Sequence, residues 1–377
     1  MEKGGLNIPV VLVGALALIL LSSAVFLLIS PAEKKETVGP VVIQDLLGRE
    51  VVIPENLSRV VAAGPGALRL LCYLDATDLL VGVEEAEKNW GFTGRDYAMA
   101  YGQRFENLPV IGPGGPGRPP SPELLLAVQP QLILLSPTYA SMYDPDRLQN
   151  ETGAVVMVTG YGATGVALEA LENMISTLGR ALRREERAKE LVDFIEGLRR
   201  DLDLRTAGLE NRPSVYVGAI SYKGPQPFTT TQSPYPPLQL LNTPSIADNA
   251  TSGEPPTVDF EFILQKDPNF VFIDQNNLNT VLQDFNKDPA KYRHLSAFRE
   301  GRVYGLLPYN YYATNFSVAL ANAYYLGKIL YPDRFADVDP VKKADEIFRT
   351  FVGKPLYSAY ENAYGGFRNL SALCPPS

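Results

Sequence analysis

A pattern that occurs twice, once in each half of the chain, strongly restricts what this sequence can fold into. In both copies a glutamate (Glu123, Glu261) precedes a proline (Pro130, Pro268) by seven residues, and an apolar run follows. Because proline disfavours helix at its predecessor and cannot continue one, each copy predicts a short helix, a stop and a buried strand. A repeated helix–stop–strand unit predicts two similar α/β lobes with a cleft between them.

Length and composition fit two ordinary globular domains. The chain has 377 residues, of which 46% are hydrophobic and 20% charged, so it contains enough apolar material for two cores. The formal net charge is −8 and the sequence pI is about 5.0. A nucleic-acid-binding protein normally presents a basic face, so this charge balance argues against nucleic acid as a partner.

The N-terminal segment predicts a membrane anchor. Residues 8–29 form an apolar run without a charged residue. A helix needs about 20 such residues to cross a bilayer, whereas a signal peptide has a shorter core and a small-residue cleavage site. The sequence has no clear cleavage site before Pro31 and no cysteine there to carry a lipid. We expect residues 1–30 to be a retained anchor, with cleavage as the alternative, and residues 31–40 to be a spacer.

Two further features indicate that the globular part lies outside the cell. The chain has two cysteines, Cys72 and Cys374, which would be able to pair in an oxidising compartment; two isolated thiols are the alternative. The sequence also contains candidate N-glycosylation sites of the Asn-X-Ser/Thr type. These sequons begin at Asn56, Asn150, Asn249, Asn315 and Asn369.

Strand and helix patterns divide the globular part into four segments. Strands that alternate with helices predict parallel pairing in an N-terminal α/β lobe (41–165) and a C-terminal α/β lobe (208–335). Residues 166–207 have helical spacing and contain no proline. The exposed helix predicted over 184–204 would reach about 30 Å, enough to cross from one lobe to the other. Residues 336–377 are expected to form a final helix and a tail.

Several motifs resemble those of a known family. Residues 45–54 read Asp-Leu-Leu-Gly-Arg-Glu-Val-Val-Ile-Pro, residues 59–61 read Arg-Val-Val, residues 81–83 read Val-Gly-Val, and residues 297–304 read Ala-Phe-Arg-Glu-Gly-Arg-Val-Tyr. In this order they are similar to the substrate-binding proteins of ABC importers for iron–siderophore complexes, haem and cobalamin. The resemblance spans about 41–351. It implies two Rossmann-like α/β lobes bridged by a single long α-helix. The apolar run at 8–29 predicts, separately, an N-terminal transmembrane helix that precedes them.

The resemblance also implies a protein partner. Members of that family dock on an ABC importer permease through one surface glutamate on each lobe, and the matching positions here are Glu123 and Glu261. Two like charges on separate lobes would orient the protein on a basic partner. The alternative is that both are solvated first-turn glutamates favoured by the helix dipole.

Loops that follow the predicted strands supply candidate ligand contacts, because ligands bind at the carboxyl ends of strands in open α/β sheets. A glycine-containing turn in the first lobe would admit an anion to backbone N–H groups, and a loop with arginines and aromatic residues suits a bulky, anionic chelate. A tyrosine-rich segment in the second lobe would stack on the ligand. The alternative for the glycine-containing turn is an ordinary tight turn, and for the second loop it is surface arginines with core aromatic residues. For the tyrosine-rich segment, the alternative is that its tyrosines pack in the core and Asn315 caps the following helix. The predicted ligand-binding set is Gly66, Trp90, Arg95, Tyr97, Arg118, Tyr139, Tyr222, Thr230, Tyr309, Tyr311, Tyr312 and Asn315.

The sequence weighs against bare-metal capture and against catalysis. His294 is the sole histidine, whereas zinc or manganese capture usually needs several histidines or cysteines. A carboxylate–tyrosine site for iron remains an alternative. With one histidine and no Gly-X-Ser-X-Gly elbow, we expect no enzyme and no cofactor. We expect an anchored solute receptor that delivers a metal chelate to an ABC importer permease; a surface adhesive or structural protein, or an extracellular hydrolase, is the alternative.

Overall fold

The computed structural model describes Met1 and residues 39–115, 117–161 and 167–373. The predicted anchor at 8–29 lies outside the described residues, and so does Cys374, so the anchor and the disulfide stay predictions. Within the described ranges, no helix is both long enough and apolar enough to cross a membrane. Pro40–Ser377 forms one compact unit.

The first lobe is built on a four-stranded parallel sheet with the strand order β4-β3-β5-β6. Its strands are β3 (Val60–Ala63), β4 (Leu80–Gly82), β5 (Leu132–Leu135) and β6 (Val155–Val158). Every residue of β3 and β5 is buried, as expected of parallel strands that are covered on both faces. An antiparallel ribbon of β1 (Val41–Gln44) and β2 (Glu50–Ile53) precedes this sheet.

Helices connect these strands. They are α1 (Ala67–Tyr73), α2 (Glu85–Asn89), α3 (Asp96–Glu106), α4 (Pro122–Val128), α5 (Pro137–Ala140) and α6 (Pro145–Thr152). The last three begin with proline after a capping residue, and the side chains of Ser121, Ser136 and Asp144 accept hydrogen bonds from backbone N–H groups. Proline suits this first position because its missing N–H would have no intrahelical partner there.

Two longer helices follow the first lobe, α7 (Leu168–Leu182) and α8 (Glu185–Thr206). Helix α8 has 22 residues, which corresponds to about 33 Å. Near its start, the Arg187 side chain donates to the carbonyl of Tyr73, at 3.0 Å. Near its end, Asp203 accepts from the amide of Asn242, at 2.8 Å. The predicted helix over 184–204 is therefore present, and its two ends contact different halves of the chain.

The second lobe contains a four-stranded sheet with the order β10-β9-β8-β7. Strands β7 (Val215–Gly218), β8 (Phe270–Asp274) and β9 (Val303–Leu306) are parallel, and β10 (Arg368–Asn369) is antiparallel to β9. The helices of this half are α9 (Pro236–Gln239), α10 (Phe260–Lys266), α11 (Leu278–Lys287), α12 (Pro289–Arg293), α13 (Ser296–Arg299), α14 (Phe316–Leu330), α15 (Pro340–Val352) and α16 (Tyr357–Tyr364). Short 3-10 turns cover Thr77–Leu79 and Gln275–Asn277.

The repeated unit predicts both lobes correctly. In the first lobe α4 precedes β5, and in the second α10 precedes β8. Each helix has seven residues and ends at a non-glycine residue in the left-handed conformation, Gln129 at φ 44° and Asp267 at φ 38°. The next residue in each copy is the proline that prevents the helix from continuing. Two α/β lobes are therefore confirmed.

The C-terminal segment is more integrated with both lobes than the sequence predicts. The predicted tail supplies β10, which pairs with the edge of the second sheet. Helix α15 packs against the first lobe, where the ring of Phe351 lies edge-on to that of Tyr73 with centroids 4.9 Å apart. The segment 336–377 therefore contributes to both cores.

A buried ion pair lies where the two lobes meet. The guanidinium of Arg69 in α1 is fully buried, and its Nε donates to Asp96 Oδ1 at 3.0 Å. Its terminal nitrogens donate to the hydroxyl of Tyr161 at 2.7 Å, to the carbonyl of Tyr311 at 3.0 Å and to the side-chain oxygen of Asn315 at 2.9 Å. One cation of the first lobe thus holds the loop that follows β9 in the second.

We predict that Asp96→Asn destabilises the protein by about 3–5 kcal/mol, because it leaves the buried Arg69 charge without its partner. Urea denaturation followed by circular dichroism measures this change in the free energy of unfolding. Glu151→Gln is the matched control, since Glu151 pairs with Arg147 at the surface, where ion pairs contribute little. A loss for Asp96→Asn no larger than that of the control would contradict the prediction.

Candidate ligand-binding cleft

Loops at the carboxyl ends of parallel strands from both lobes meet at one place, here called the cleft, and open α/β sheets bind their ligands at such strand ends. Glu84 follows β4 in the first lobe, and residues 307–315 follow β9 in the second. The two loops meet directly, because the hydroxyl of Tyr312 donates to Glu84 Oε2 at 2.7 Å.

Glu84 is the centre of this contact. Its side chain is 1% exposed, and Oε2 also accepts from the backbone N–H of Gly64 at 3.0 Å. The other carboxylate oxygen, Oε1, accepts no hydrogen bond from any described residue. Burial raises the pKa of Glu84 to about 7, with a further increase from the charge of Glu87, while the hydrogen bonds from Tyr312 and Gly64 and the nearby hydroxyl of Tyr139 oppose the rise.

Tyrosines and a glycine complete the wall around Glu84. The hydroxyl of Tyr139 donates to the carbonyl of Gly115 at 2.9 Å, and the N–H of Gly115 donates to the hydroxyl of Tyr312 at 3.0 Å. The two hydroxyl oxygens are 3.4 Å apart. At Gly64, φ is +90° and a Cβ would lie 2.0 Å from Ser136 Oγ, so only glycine can present its N–H to Glu84 there.

The mouth of the cleft is aromatic. Trp90 is 40% exposed, and its ring meets Tyr312 edge-on with centroids 5.1 Å apart. The ring of Tyr311 lies nearly parallel to Trp90, at an interplanar angle of 8° and a centroid distance of 6.4 Å. Trp90 and Tyr311 were both predicted as ligand contacts, and the structure brings them together from different lobes.

Two of the predicted contacts are engaged elsewhere. Arg95 and Tyr97 are buried, and both bind the carboxylate of Glu87, the tyrosine hydroxyl at 2.8 Å from Oε1. A role for them in ligand contact stays a prediction, since in this arrangement both side chains are engaged with Glu87. A buried guanidinium requires a carboxylate partner, and the sequence pattern did not reveal that Glu87, on the adjacent helix α2, supplies it.

Asn315 is also an internal residue. It is fully buried, and its amide nitrogen donates to the carbonyls of Gly94 at 3.2 Å and Tyr309 at 2.9 Å. Both amide hydrogens are used within the fold, and glycosylation at this sequon stays a prediction. The other four sequons begin at exposed asparagines and stay predictions: Asn56, Asn150, Asn249 and Asn369.

The remaining predicted residues differ in exposure. Thr230 and Tyr309 are buried and hydrogen-bond to Gln226 and Gln232. Gly66 packs so closely on Tyr161 that a Cβ would lie 2.5 Å from its hydroxyl. Arg118 and Tyr222 are both exposed, and the hydroxyl of Tyr222 is bound to Glu254. Roles in ligand binding for these residues stay predictions.

Acids at the carboxyl edges of the sheets were missed by the sequence analysis. Glu84 follows β4, and Asp274 ends β8, where it is buried and accepts backbone N–H groups of Ser221 at 2.9 Å and Asn276 at 3.0 Å. Burial raises the pKa of Asp274 to about 6, while these hydrogen bonds oppose the rise. The sequence does indicate these acids by their position, because each stands at the end of an apolar strand, where a parallel sheet places functional groups.

The predicted docking glutamates lie away from this cleft. Glu123 and Glu261 are both exposed and stand in the first turns of α4 and α10. The hydroxyl of Ser121 donates to Glu123 at 2.6 Å and lowers the pKa of that carboxyl. Leu124 and Leu126, on the same helix, are 41% and 49% exposed.

Two pockets of the structure lie away from the loops that meet at Glu84. Among the described residues, no group of three or more histidine, cysteine, aspartate or glutamate side chains is arranged to hold a metal ion. A pocket of about 350 Å³ lies on the second lobe near Phe260 and Lys291, and one of about 600 Å³ lies near Arg205 and Asp337. Neither is lined by Glu84.

The family is established by sequence comparison. The profile of the periplasmic binding protein family matches residues 60–309. The chain belongs to this family, which confirms the resemblance recognised in its motifs. It is accordingly a solute-binding protein of the kind that serves ABC transporters. No curated protein matches the chain.

Solved structures show the same fold at low sequence identity. A periplasmic solute-binding protein from Veillonella parvula has a TM-score of 0.66 at 18% identity, and the match covers 89% of this chain and 99% of that one. The molybdate-bound periplasmic protein MolA of Haemophilus influenzae gives 0.61 at 20% identity, covering 84% and 98%. The periplasmic heme-binding protein HutB of Vibrio cholerae gives 0.54 at 17% identity, covering 74% and 100%.

We predict that Glu84→Gln removes a pH dependence of stability. The folded protein retains the Glu84 proton up to about pH 7, whereas the unfolded chain releases it near its ordinary pKa of about 4.3. Between these values the folded state binds more protons, so rising pH destabilises the wild type by up to about 3 kcal/mol relative to Glu84→Gln.

Urea denaturation of both proteins between pH 4.5 and 8 measures this difference. The other titratable groups that face Glu84 are Glu87, Tyr139 and Tyr312, and they are present in both proteins, so their own contributions largely cancel. If the free energy of unfolding changed with pH in the same way for both proteins, the pKa of Glu84 would be the same in the folded and unfolded states, and the prediction would be wrong.

Proposed function

We propose that this protein captures a small-molecule metal chelate, such as an iron complex, haem or a cobalamin-like compound, in the interlobe cleft and delivers it to an ABC importer permease. The observation that carries the proposal is the meeting of the two sheets' carboxyl edges at Glu84 and Tyr312 in a member of the periplasmic binding protein family. Aromatic rings at the cleft mouth supply apolar surface for a conjugated ligand.

The named ligands of the structural neighbours support this class of cargo. One neighbour is described as bound to molybdate, another as a heme-binding protein, and a third, from Helicobacter pylori, as having Ni(II) bound. The common property of these ligands is that each contains a metal, as an ion, an oxyanion or a complex. We extend only this property to the present chain. The sparse histidine content favours a complex over a bare ion here.

We further propose that α8 is the bridge between the lobes. Its contacts with Tyr73 near one end and with Asn242 near the other support this role. A single continuous helix is a stiff connector, so ligand binding would rearrange loops at the cleft more than it would rotate whole lobes.

We propose that residues 8–29 anchor the protein in the cytoplasmic membrane with the globular part outside. The length and apolarity of this run support the anchor, and the exposed sequons fit an extracellular location. The full-length chain should remain in membranes after a carbonate wash, whereas a chain starting at residue 31 should be released. Release of both chains by the wash would contradict the proposal that residues 8–29 are a membrane anchor.

Glu123 and Glu261 are proposed as the permease-docking pair. Their exposure, their equivalent positions in the two repeats and the apolar Leu124 and Leu126 beside Glu123 support a protein-binding role. We predict that Glu123→Lys and Glu261→Lys each reduce uptake at least tenfold, because each places a cation against a basic partner surface. Ligand affinity should be unchanged, since both residues lie outside the cleft.

Uptake by cells that carry the permease, together with calorimetry on each purified variant, measures the two effects separately. Glu186→Lys is the matched control, because Glu186 is an exposed first-turn glutamate of α8. Normal uptake by both docking variants, or an equal loss in the control, would contradict the docking role.

A ligand screen tests the receptor itself. Full-length protein in mild detergent should show tight binding to at least one of a panel of ferric chelates, haem, cobalamin and oxyanions, with the ligand recovered unchanged. Thermal shift identifies the ligand and calorimetry gives its affinity. Conversion of the ligand would favour a hydrolase, and binding to none of the panel would favour a structural or adhesive surface protein.

A further inference from the structure

We infer that the cleft of this chain selects a ligand with a positive charge or outward-facing hydrogen-bond donors, and that Glu84 is the group that receives it. This inference rests on the proposed function in one respect, namely that the cleft is where the ligand binds. It reverses the sequence-based expectation of an anionic ligand held by arginines.

The buried arginines near the cleft are already neutralised. Arg69 pairs with Asp96 and also donates to oxygen atoms of Tyr161, Tyr311 and Asn315. Arg95 is likewise buried and pairs with Glu87. An anion that used either guanidinium would have to break a buried ion pair, which is strongly unfavourable.

The acids of the cleft, by contrast, have no cationic partner among the described residues. Glu84 accepts hydrogen bonds from a backbone N–H and a phenol, and its Oε1 accepts none from the part of the chain that the structure describes. Asp274, on the opposite sheet, accepts from backbone N–H groups. With the buried Arg69 and Arg95 both paired, the buried groups without a counter-charge are the two acids, which when ionised attract cations and repel anions.

Tyr312 acts as an internal substitute for such a ligand. Its hydroxyl supplies a donor to Glu84 Oε2 from the second lobe. The loop that carries it includes two consecutive non-glycine residues at positive φ, Tyr312 at 52° and Ala313 at 73°. This conformation is unfavourable for side-chain-bearing residues. A ligand donor that replaces the phenol would satisfy Glu84 and allow this loop to relax.

The ligand class that fits is therefore a metal complex with amine or water ligands facing outward, or an organic ligand with an ammonium group. Such groups donate hydrogen bonds and carry positive charge, so they match both Glu84 oxygens and the hydroxyl of Tyr139. A complex coated with carboxylates or an oxyanion would place its charge against Glu84, while the buried guanidiniums of Arg69 and Arg95 are already paired.

Two tris-chelates of opposite charge test the inference. The probes are tris(ethylenediamine)cobalt(III), a cation with N–H donors, and tris(oxalato)ferrate(III), an anion without donors. Calorimetry on the full-length protein at pH 8, where Glu84 is ionised, should show binding of the cation and at least tenfold weaker binding of the anion. Glu84→Gln should weaken binding of the cation at least tenfold.

Two further variants separate this role from a structural one. Tyr312→Phe removes the competing hydroxyl, so it should tighten binding of the cation several-fold, which general damage to the cleft would not do. Glu172→Gln should leave binding unchanged, because Glu172 is a mostly buried glutamate of α7 whose Oε1 also lacks a partner among the described residues.

Preferential binding of the trioxalate complex, no binding of the cation, or equal affinity of wild type and Glu84→Gln would overturn the inference. The receptor proposal fails by a different result, which is the absence of any ligand from the wider screen. An anionic ligand that is bound and transported equally well by Glu84→Gln would leave the receptor intact and refute only the charge assignment.

Discussion

The arrangement of the cleft depends on one buried cation. Arg69 lies in a helix of the first lobe, and its charge is balanced by Asp96 while its remaining N–H groups bind the loop after β9 of the second lobe. A fully buried guanidinium must satisfy nearly all of its donors. That requirement positions Tyr311, Tyr312 and Asn315 at the same time, and it brings Tyr312 against Glu84. The contact between the lobes is therefore an electrostatic consequence of burying Arg69.

Pairing of the arginines has a second consequence for specificity. Once Asp96 and Glu87 have neutralised Arg69 and Arg95, the acids at the strand ends define the electrostatic character of the cleft. Glu84 shows this in its pKa, which burial raises to about 7. A carboxyl group with a pKa near neutrality and one oxygen without a partner is poised to accept a donor. Arginine and tyrosine side chains in the predicted set can thus serve structure, while Glu84, an acid outside that set, lies where the two lobes meet.

The sequence predicted the scaffold better than the site. The prolines after α4 and α10, the apolar strands and the long helix α8 are local signals, and each was placed within a few residues. The ligand set stays a prediction, because exposure and pairing depend on residues far apart in sequence, which local patterns do not encode. Trp90 and Tyr311 do meet at the cleft mouth, whereas Arg95 and Tyr97 bind Glu87 and Asn315 is consumed by backbone carbonyls.

By itself, the sequence determined that this chain forms two α/β lobes, because proline stops and apolar periodicity act through the backbone over a few residues. It also determined the family, through motifs that stand in order along the chain. The tertiary structure alone decided which charges are free. A side chain's charge acts on a ligand only if no partner neutralises it, and the partners of Arg69 and Arg95 are chosen by folding. The same principle applies to Glu84, whose Oε1 is buried without a hydrogen-bond partner among the residues that the structure describes.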